Sequence, residues 1–274
     1  MSRRQQGQPG SSSGDGGRAV SQASLAVDRA LRDFVNRQPV ADFYDLVRYH
    51  FGWLGHGSVP ALAQPELHLA PALCLLACEA CGGRPEDALP LAEGIALLEK
   101  FLKLEDDMEH SRRERGGRPA VWSLWGIPQA MNAADGLHAL AKMALLEARG
   151  RVPTERILHL EGELDTCCLA LCEAIHREFT AIDCAGSTDG RLALMFGCAA
   201  YGGAYAFGSG AECCARLRAF GERLGAMLEA STSSPSRSEN YEQALEALNQ
   251  LELPVRKLHA LRDVAAFLLD VPTP

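Results

Sequence analysis

The stretch Glu105-Asp106-Asp107-Met108-Glu109-His110 is followed, after four residues, by Arg115-Gly116-Gly117-Arg118-Pro119-Ala120-Val121-Trp122. A carboxylate cluster at the end of an apolar helical pattern thus precedes a basic, glycine-rich turn. Residues three and four apart share one face of a helix. Oxygen ligands select hard cations such as Mg²⁺, which takes one or two carboxylates and completes its shell with water and phosphate oxygens. The stretch predicts a magnesium site with these ligands: Asp106, Asp107, Glu109 and His110.

An ordinary solvated helix end is the alternative for this cluster. Acidic side chains before a loop are common and usually bind nothing. The helix macrodipole, however, disfavours negative charge at a C-terminus. Four acids within Glu105 to His110 therefore need compensation from cations.

The same stretch resembles a family motif. In the trans-isoprenyl diphosphate synthases, the polyprenyl synthetase family, the first aspartate-rich motif is D-D-x-x-D, then four residues, then R-R-G-x-P-T-V. The residues that fall on its positions without a gap are Asp106, Asp107, Arg115, Gly117, Pro119 and Val121. Weaker similarities align most of residues 40 to 270 with the sequence pattern of this family, including Pro71 to Leu76 and Gly190 to Phe196.

Departures from the family pattern are equally informative. His110 stands where the third aspartate belongs, and Ala226 to Pro235 replaces the second aspartate-rich motif without any aspartate. Leu67 to Ala70 stands where the family has a lysine and an arginine, and Gly116 replaces the second arginine of the motif. In the family these basic groups hold isopentenyl diphosphate. The resemblance therefore implies a chain-elongation pocket that has been dismantled.

The resemblance implies a Mg²⁺-dependent enzyme that ionises an allylic prenyl diphosphate of C10 to C20. The favoured hypothesis is a terpene-synthase-like reaction, with diphosphate loss or cyclisation, in which Asp106 and Asp107 are catalytic. Three arginines would clamp the diphosphate: Arg115, Arg118 and Arg191. One alternative is a prenyltransferase that condenses the substrate with isopentenyl diphosphate or another acceptor. A second is a non-catalytic regulatory partner of an active prenyl diphosphate synthase. Either a homodimer or a heteromer with such a synthase is implied.

Apolar residues at helical spacing predict an all-α, single-domain helical bundle, and the resemblance implies the isoprenoid synthase type with a central apolar cavity. Residues 1–20 are polar and glycine-rich and predict a disordered tail before a domain over 21–274. A mobile loop is predicted from Ser231 to Asn240. Helices are predicted at Ala26 to Asn36, Val40 to Phe51, Ala70 to Cys81, Glu86 to Glu109, Ile127 to Ala148, Pro153 to Phe179, Gly190 to Phe207, Ala211 to Leu228, Ser238 to Leu251 and Pro254 to Leu269.

Composition narrows the function classes. A net charge of -8 in 274 residues argues against nucleic acid as a partner, because nucleic acid rewards clustered lysine and arginine. The most apolar stretch, Leu192 to Phe207, is shorter than a membrane span, so no integral membrane insertion is expected. The N-terminal segment shows no recognisable secretory signal, and the ten cysteines show no disulfide pattern. Both observations predict a cytoplasmic protein.

Overall fold

Helices form almost all regular structure in the computed structural model, which describes residues 12–38, 41–57, 66–180 and 190–271. These residues form eleven helices and one two-stranded antiparallel hairpin. The helices are α1 (Ser12–Asn36), α2 (Ala41–His50), α3 (Leu69–Ala80), α4 (Pro85–Glu109), α5 (Val121–Trp125), α6 (Ile127–Leu146), α7 (Thr154–Thr180), α8 (Arg191–Phe207), α9 (Ala211–Glu229), α10 (Pro235–Asn249) and α11 (Val255–Leu269), and the hairpin joins β1 (Glu114–Arg115) to β2 (Arg118–Pro119). The predicted all-α bundle is confirmed.

The core is organised around α8, which packs against α3, α4, α7 and α9. Ten of its 17 residues are buried, and most of these are alanine or glycine. Small side chains let neighbouring backbones approach closely. Apart from Phe196 on α8 itself, the large core side chains come from the surrounding helices, with Leu91 on α4 and Phe220 on α9.

The helix α4 carries the acidic stretch to one end of the bundle. Pro85 starts it at a position where a proline costs no hydrogen bond. At the other end Ser111 adopts φ +51°, and the backbone N–H of Arg112 donates to the carbonyl oxygen of Asp107 over 2.8 Å. A left-handed residue followed by such a bond reverses the chain after a helix. Arg112 and Arg115 are thereby turned back toward Asp106 and Asp107.

Two predicted segments need correction. The predicted tail ends earlier, because residues 12–20 belong to α1, where Val20 is 2% exposed. Packing of α1 against α11 explains this: a Cβ added at Gly16 would lie 2.0 Å from the carbonyl oxygen of Asp263. The predicted loop from residue 231 to 240 is also wrong after Ser234, where α10 begins. Residues 1–11 of the predicted tail lie outside the described residues.

Among the described helices, none combines the length and the apolar character that crossing a bilayer requires.

Candidate functional site

The hairpin after α4 folds Arg115 back onto the two aspartates. Gly116 and Gly117 connect its strands with φ values of +58° and +72°, as a two-residue type I′ turn requires. Arg115 Nε donates to Asp107 Oδ1 over 2.7 Å, and Arg115 Nη2 donates to Asp106 Oδ2 over 2.5 Å. One guanidinium therefore bridges both carboxylates.

Asp106 is the centre of a larger charge network. His110 Nδ1 lies 3.1 Å from Asp106 Oδ1, and Arg112 Nε lies 3.6 Å from Asp106 Oδ2. Arg191, at the start of α8, approaches Asp106 Oδ1 to 3.9 Å. Glu178, near the end of α7, lies 3.3 Å from His110 Nε2 and 3.4 Å from Arg191 Nη2. The network joins the ends of three helices.

The two aspartates differ in their access to solvent. The Asp107 side chain is 3% exposed, whereas that of Asp106 is 13% exposed. Burial raises the pKa of Asp107 above its ordinary value, and the hydrogen bond from Arg115 offsets only part of that effect. For Arg115, burial lowers the pKa, but the bonds to Asp107 and Asp106 outweigh it and the pKa is raised. Asp107 therefore holds Arg115 in place, and Asp106 is the more accessible of the two carboxylates.

Not every predicted residue joins this network. Glu109 is exposed at the edge of the network: burial raises its pKa, and the charges of His110, Asp106 and Arg191 also act on it. Arg118 is directed to α2, where its Nη1 donates to the carbonyl oxygen of Tyr49 over 3.0 Å and its guanidinium lies over the Tyr49 ring. The structure thus brings Arg115 and Arg191 to the aspartates and keeps Arg118 away.

Sequence reasoning missed two members of the network. Arg112 lies between the acidic segment and the glycine-rich turn, but only the left-handed conformation of Ser111 directs it toward Asp106. Glu178 is separated from Asp106 by 72 positions, and no local pattern distinguishes it from the other acids of α7.

Magnesium, which the family resemblance implies, can be tested against this set of donors. The described residues contain no group of three His, Cys, Asp or Glu side chains that could hold a metal ion. Mg²⁺ needs only one or two protein carboxylates when phosphate oxygens and water complete its shell. Asp106 fits as such a ligand, because it is the more exposed aspartate. Asp107 is less accessible, since its side chain is 3% exposed and accepts from Arg115, and its role as a magnesium ligand stays a prediction.

The segment that replaces the second aspartate-rich motif has a structural role. Glu229 Oε1 accepts the backbone N–H of Leu192 over 2.6 Å and so caps the first turn of α8. Arg237 is 2% exposed and donates to the carbonyl oxygens of Met227 and Ala230 at the end of α9. It also donates to carbonyl oxygens at the end of α11, those of Leu268, Leu269 and Val271. The chain after Gly225 is therefore fixed as a junction between helix ends.

Charged groups lie between α4, α6 and α7. Lys142 Nζ lies 2.7 Å from Asp165 Oδ2 and 3.9 Å from Glu161 Oε1. Glu161 Oε2 is buried without a hydrogen-bond partner, and burial raises the pKa of this carboxyl. Glu105 on α4 contributes a further acid with a pKa raised by burial. An apolar cavity at this place stays a prediction.

Comparison with known proteins identifies the family. Residues 67–228 match the model of the family described as polyprenyl synthetase, which is more than half of the chain. This chain belongs to the polyprenyl synthetase family. It is 30% identical over 216 residues to a geranylgeranyl diphosphate synthase of Mycobacterium tuberculosis, covering 76% of this chain and 59% of that protein. The chain thus spans less than two thirds of this relative's length.

Solved structures show the same fold. A polyprenyl synthetase from Streptomyces coelicolor A3(2) superposes with a TM-score of 0.79 at 19% identity and covers 92% of this chain and 99% of that one. A deletion mutant of a heterotetrameric geranyl pyrophosphate synthase from mint gives 0.71 at 19% identity, over 90% of this chain and 98% of that one. The resemblance to the polyprenyl synthetase family is confirmed. The names of the relatives favour prenyl transfer over the terpene-synthase-like expectation.

Proposed function

We propose that this member of the polyprenyl synthetase family is a prenyltransferase that binds the diphosphate of an allylic prenyl diphosphate at the end of α4. The observation that carries the proposal is the meeting of Asp106, Arg115 and Arg191 at one end of α4. The two arginines would face the diphosphate. Asp106 would share a magnesium ion with it.

The chemistry requires the C–O bond of the allylic diphosphate to break, with both electrons leaving on the diphosphate. A magnesium ion bound between Asp106 and the diphosphate would neutralise part of the charge that develops there. Arg115 and Arg191 supply fixed positive charge at the same place, and preorganised charge is worth most where water is excluded. The allylic cation is then attacked by the double bond of an acceptor such as isopentenyl diphosphate, which afterwards loses a proton.

Turnover tests the proposal directly. Purified chain is incubated with Mg²⁺, farnesyl diphosphate and labelled isopentenyl diphosphate, and the chain lengths of the products are determined. Asp106→Asn should lower the rate by about 100-fold. The exposed Asp33 on α1 offers the matched control, and Asp33→Asn should leave the rate unchanged. Full turnover by Asp106→Asn would overturn the site assignment, and a hydrocarbon formed without isopentenyl diphosphate would instead support the terpene-synthase-like reaction.

The segment after Gly225 favours a second candidate function. Where a second set of acids would complete an ion-binding site, Glu229 caps α8 and Arg237 joins two helix ends. A chain with one acidic motif could serve as the non-catalytic partner of an active synthase. The mint enzyme among the structural neighbours is heterotetrameric, so a protein of this fold can assemble with a different chain. Inactivity of the chain alone, together with a changed product length when it is mixed with an active synthase, would favour this function.

A further inference from the structure

Two lysines of α4 share one carboxylate beside the proposed site. Lys103 Nζ lies 2.7 Å from Glu66 Oε1, and Lys100 Nζ donates to Glu66 Oε2. The Lys100 side chain is 7% exposed, so its ammonium group has left bulk water. Burying an ammonium is costly unless an anion compensates it. Glu66 supplies that anion to both lysines.

The other groups around the lysines add little negative charge. Burial raises the pKa of Glu99, which disfavours its ionised form. His50 Nε2 lies 2.9 Å from the carbonyl oxygen of Lys100, and burial lowers the pKa of His50 to about 3, so this ring is neutral at pH 7. Burial works against ionisation of Glu66, but the two ammonium groups outweigh it and hold its pKa well below the usual range. Glu66 is therefore the ionised acid of the cluster.

Two more charged pairs border the cluster. Burial lowers the pKa of Lys103, but Glu66 and Glu99 outweigh it and the pKa is raised, with the nearby charge of Arg115 opposing this rise. His68 Nε2 lies 4.0 Å from Asp28 Oδ1. Asp28 Oδ2 accepts a hydrogen bond from Arg32 Nε on the same helix. Lys100 and Lys103 are one helical turn apart on α4, and Arg115 on β1 is near enough to act on Lys103. Two ammonium groups one turn apart share a face of the helix and can contact two oxygens of one anion.

The position of Glu66 makes it replaceable. Both lysines are on α4, but Glu66 lies outside any helix, three residues before α3 begins. The side chains of Glu66 and Lys103 are 37% and 38% exposed, so the cluster is open to solvent on one side. Ser24 Oγ donates to the backbone carbonyl of Glu66, which anchors its main chain. Rotation of the side chain alone is enough to free both ammonium groups.

We propose that Lys100 and Lys103 form an anion-binding pocket for a phosphate or diphosphate group, and that Glu66 occupies this pocket when no ligand is bound. Lysine binds phosphate as a point charge, and two ammonium groups on one carboxylate present the same arrangement to two phosphate oxygens. Glu66 is then a competitor that any anionic ligand must displace. The pocket is separate from the pairing of Asp106 with Arg115 and does not depend on prenyl transfer.

Inorganic diphosphate is the probe, and calorimetry in the absence of Mg²⁺ is the measurement. Glu66→Gln keeps the size of the side chain and removes its charge, so diphosphate should bind at least about 10-fold tighter than to the unaltered chain. Glu79→Gln is the matched control, because exposed Glu79 also pairs with a lysine, Lys257, over 3.3 Å. This control should bind as the unaltered chain does. Adding Lys103→Met to Glu66→Gln should abolish the gain.

Folding and turnover are separated from binding by two further variants. Glu66→Asp keeps the charge but is too short to contact both lysines, so its affinity should lie between those of the unaltered chain and Glu66→Gln. Asp106→Asn should leave the gain of Glu66→Gln intact even where turnover is lost. Equal affinities of Glu66→Gln and Glu79→Gln, or a gain that survives Lys103→Met, would overturn the proposal.

Discussion

Glu93 places a carboxyl group in the core beside α6. It is 6% exposed, and its Oε2 has no hydrogen-bond partner among the described residues. Burial, helped by the charge of Glu147, raises its pKa from 4.5 to about 7. Between these values the folded chain binds more protons than the unfolded chain, so the stability that this group contributes is present below pH 4.5 and is lost as the pH rises through 7.

We predict that Glu93→Gln stabilises the chain at pH 8 by about 3 kcal/mol and has little effect at pH 4.5. Urea unfolding of both chains at several pH values measures the difference. His50 titrates in the opposite sense, because its lowered pKa destabilises the fold as the pH falls below 6.5. The difference between variant and unaltered chain at each pH isolates Glu93. A difference that stays constant from pH 4.5 to 8 would show that Glu93 does not titrate in this way.

For individual site residues, the sequence predicted which ones lie near each other in the fold better than it predicted the directions of their side chains. The family resemblance implied that Asp106, Arg115 and Arg191 act on one diphosphate, and the structure brings them within reach of one another. Arg118 was expected with them, but the hairpin anchors it to Tyr49 instead. Residues on one short hairpin can face opposite neighbours, and sequence spacing does not decide which. That is why the direction of Arg118 needed the structure.

Helix contacts in this fold depend on the absence of side chains at particular glycines. A Cβ added at Gly203 on α8 would lie 2.0 Å from the carbonyl oxygen of Cys74 on α3. Backbone cannot move as a flexible side chain does. We predict that Gly203→Ala destabilises the chain by about 3 kcal/mol. Gly162→Ala on α7, where nothing lies within 4 Å, should instead stabilise it by about 0.5 kcal/mol. Urea midpoints compare the two, and similar shifts in both variants would contradict close packing at Gly203.

Element boundaries were predictable wherever apolar periodicity was strong and failed where it was weak. The helix α4 was expected from Glu86 to Glu109 and spans Pro85–Glu109, because its apolar pattern is long. The start of α10 was missed, although Ser234 before Pro235 is a recognisable helix start and its side chain accepts the N–H of Ser236. Polar composition suggested a loop there. A capping signal outweighs composition in such a segment.

At the scale of the whole molecule, the exposed apolar residues are concentrated on two neighbouring helices. Six of the ten exposed large hydrophobic side chains among the described residues lie on α6 and α7: Ile127, Met131, Met143, Leu146, Leu158 and Leu169. Lys142 on α6 pairs with Asp165 on α7, which joins the two helices that carry these residues. Exposed apolar side chains grouped on neighbouring helices indicate an association surface. We infer that a second copy of the chain covers it.

Sedimentation velocity should therefore find a dimer, and charges introduced on this surface should dissociate it. Met143→Glu combined with Leu158→Glu places unpaired carboxylates where apolar surface would be buried, and we predict a dissociation constant weaker by about 100-fold. Val255 on α11 supplies the control, since it is 70% exposed but lies away from this surface. Val255→Glu should leave the dimer intact, because a charge on a solvated surface costs nothing on association. A monomeric unaltered chain, or equal dissociation by Val255→Glu, would show that α6 and α7 do not form the interface.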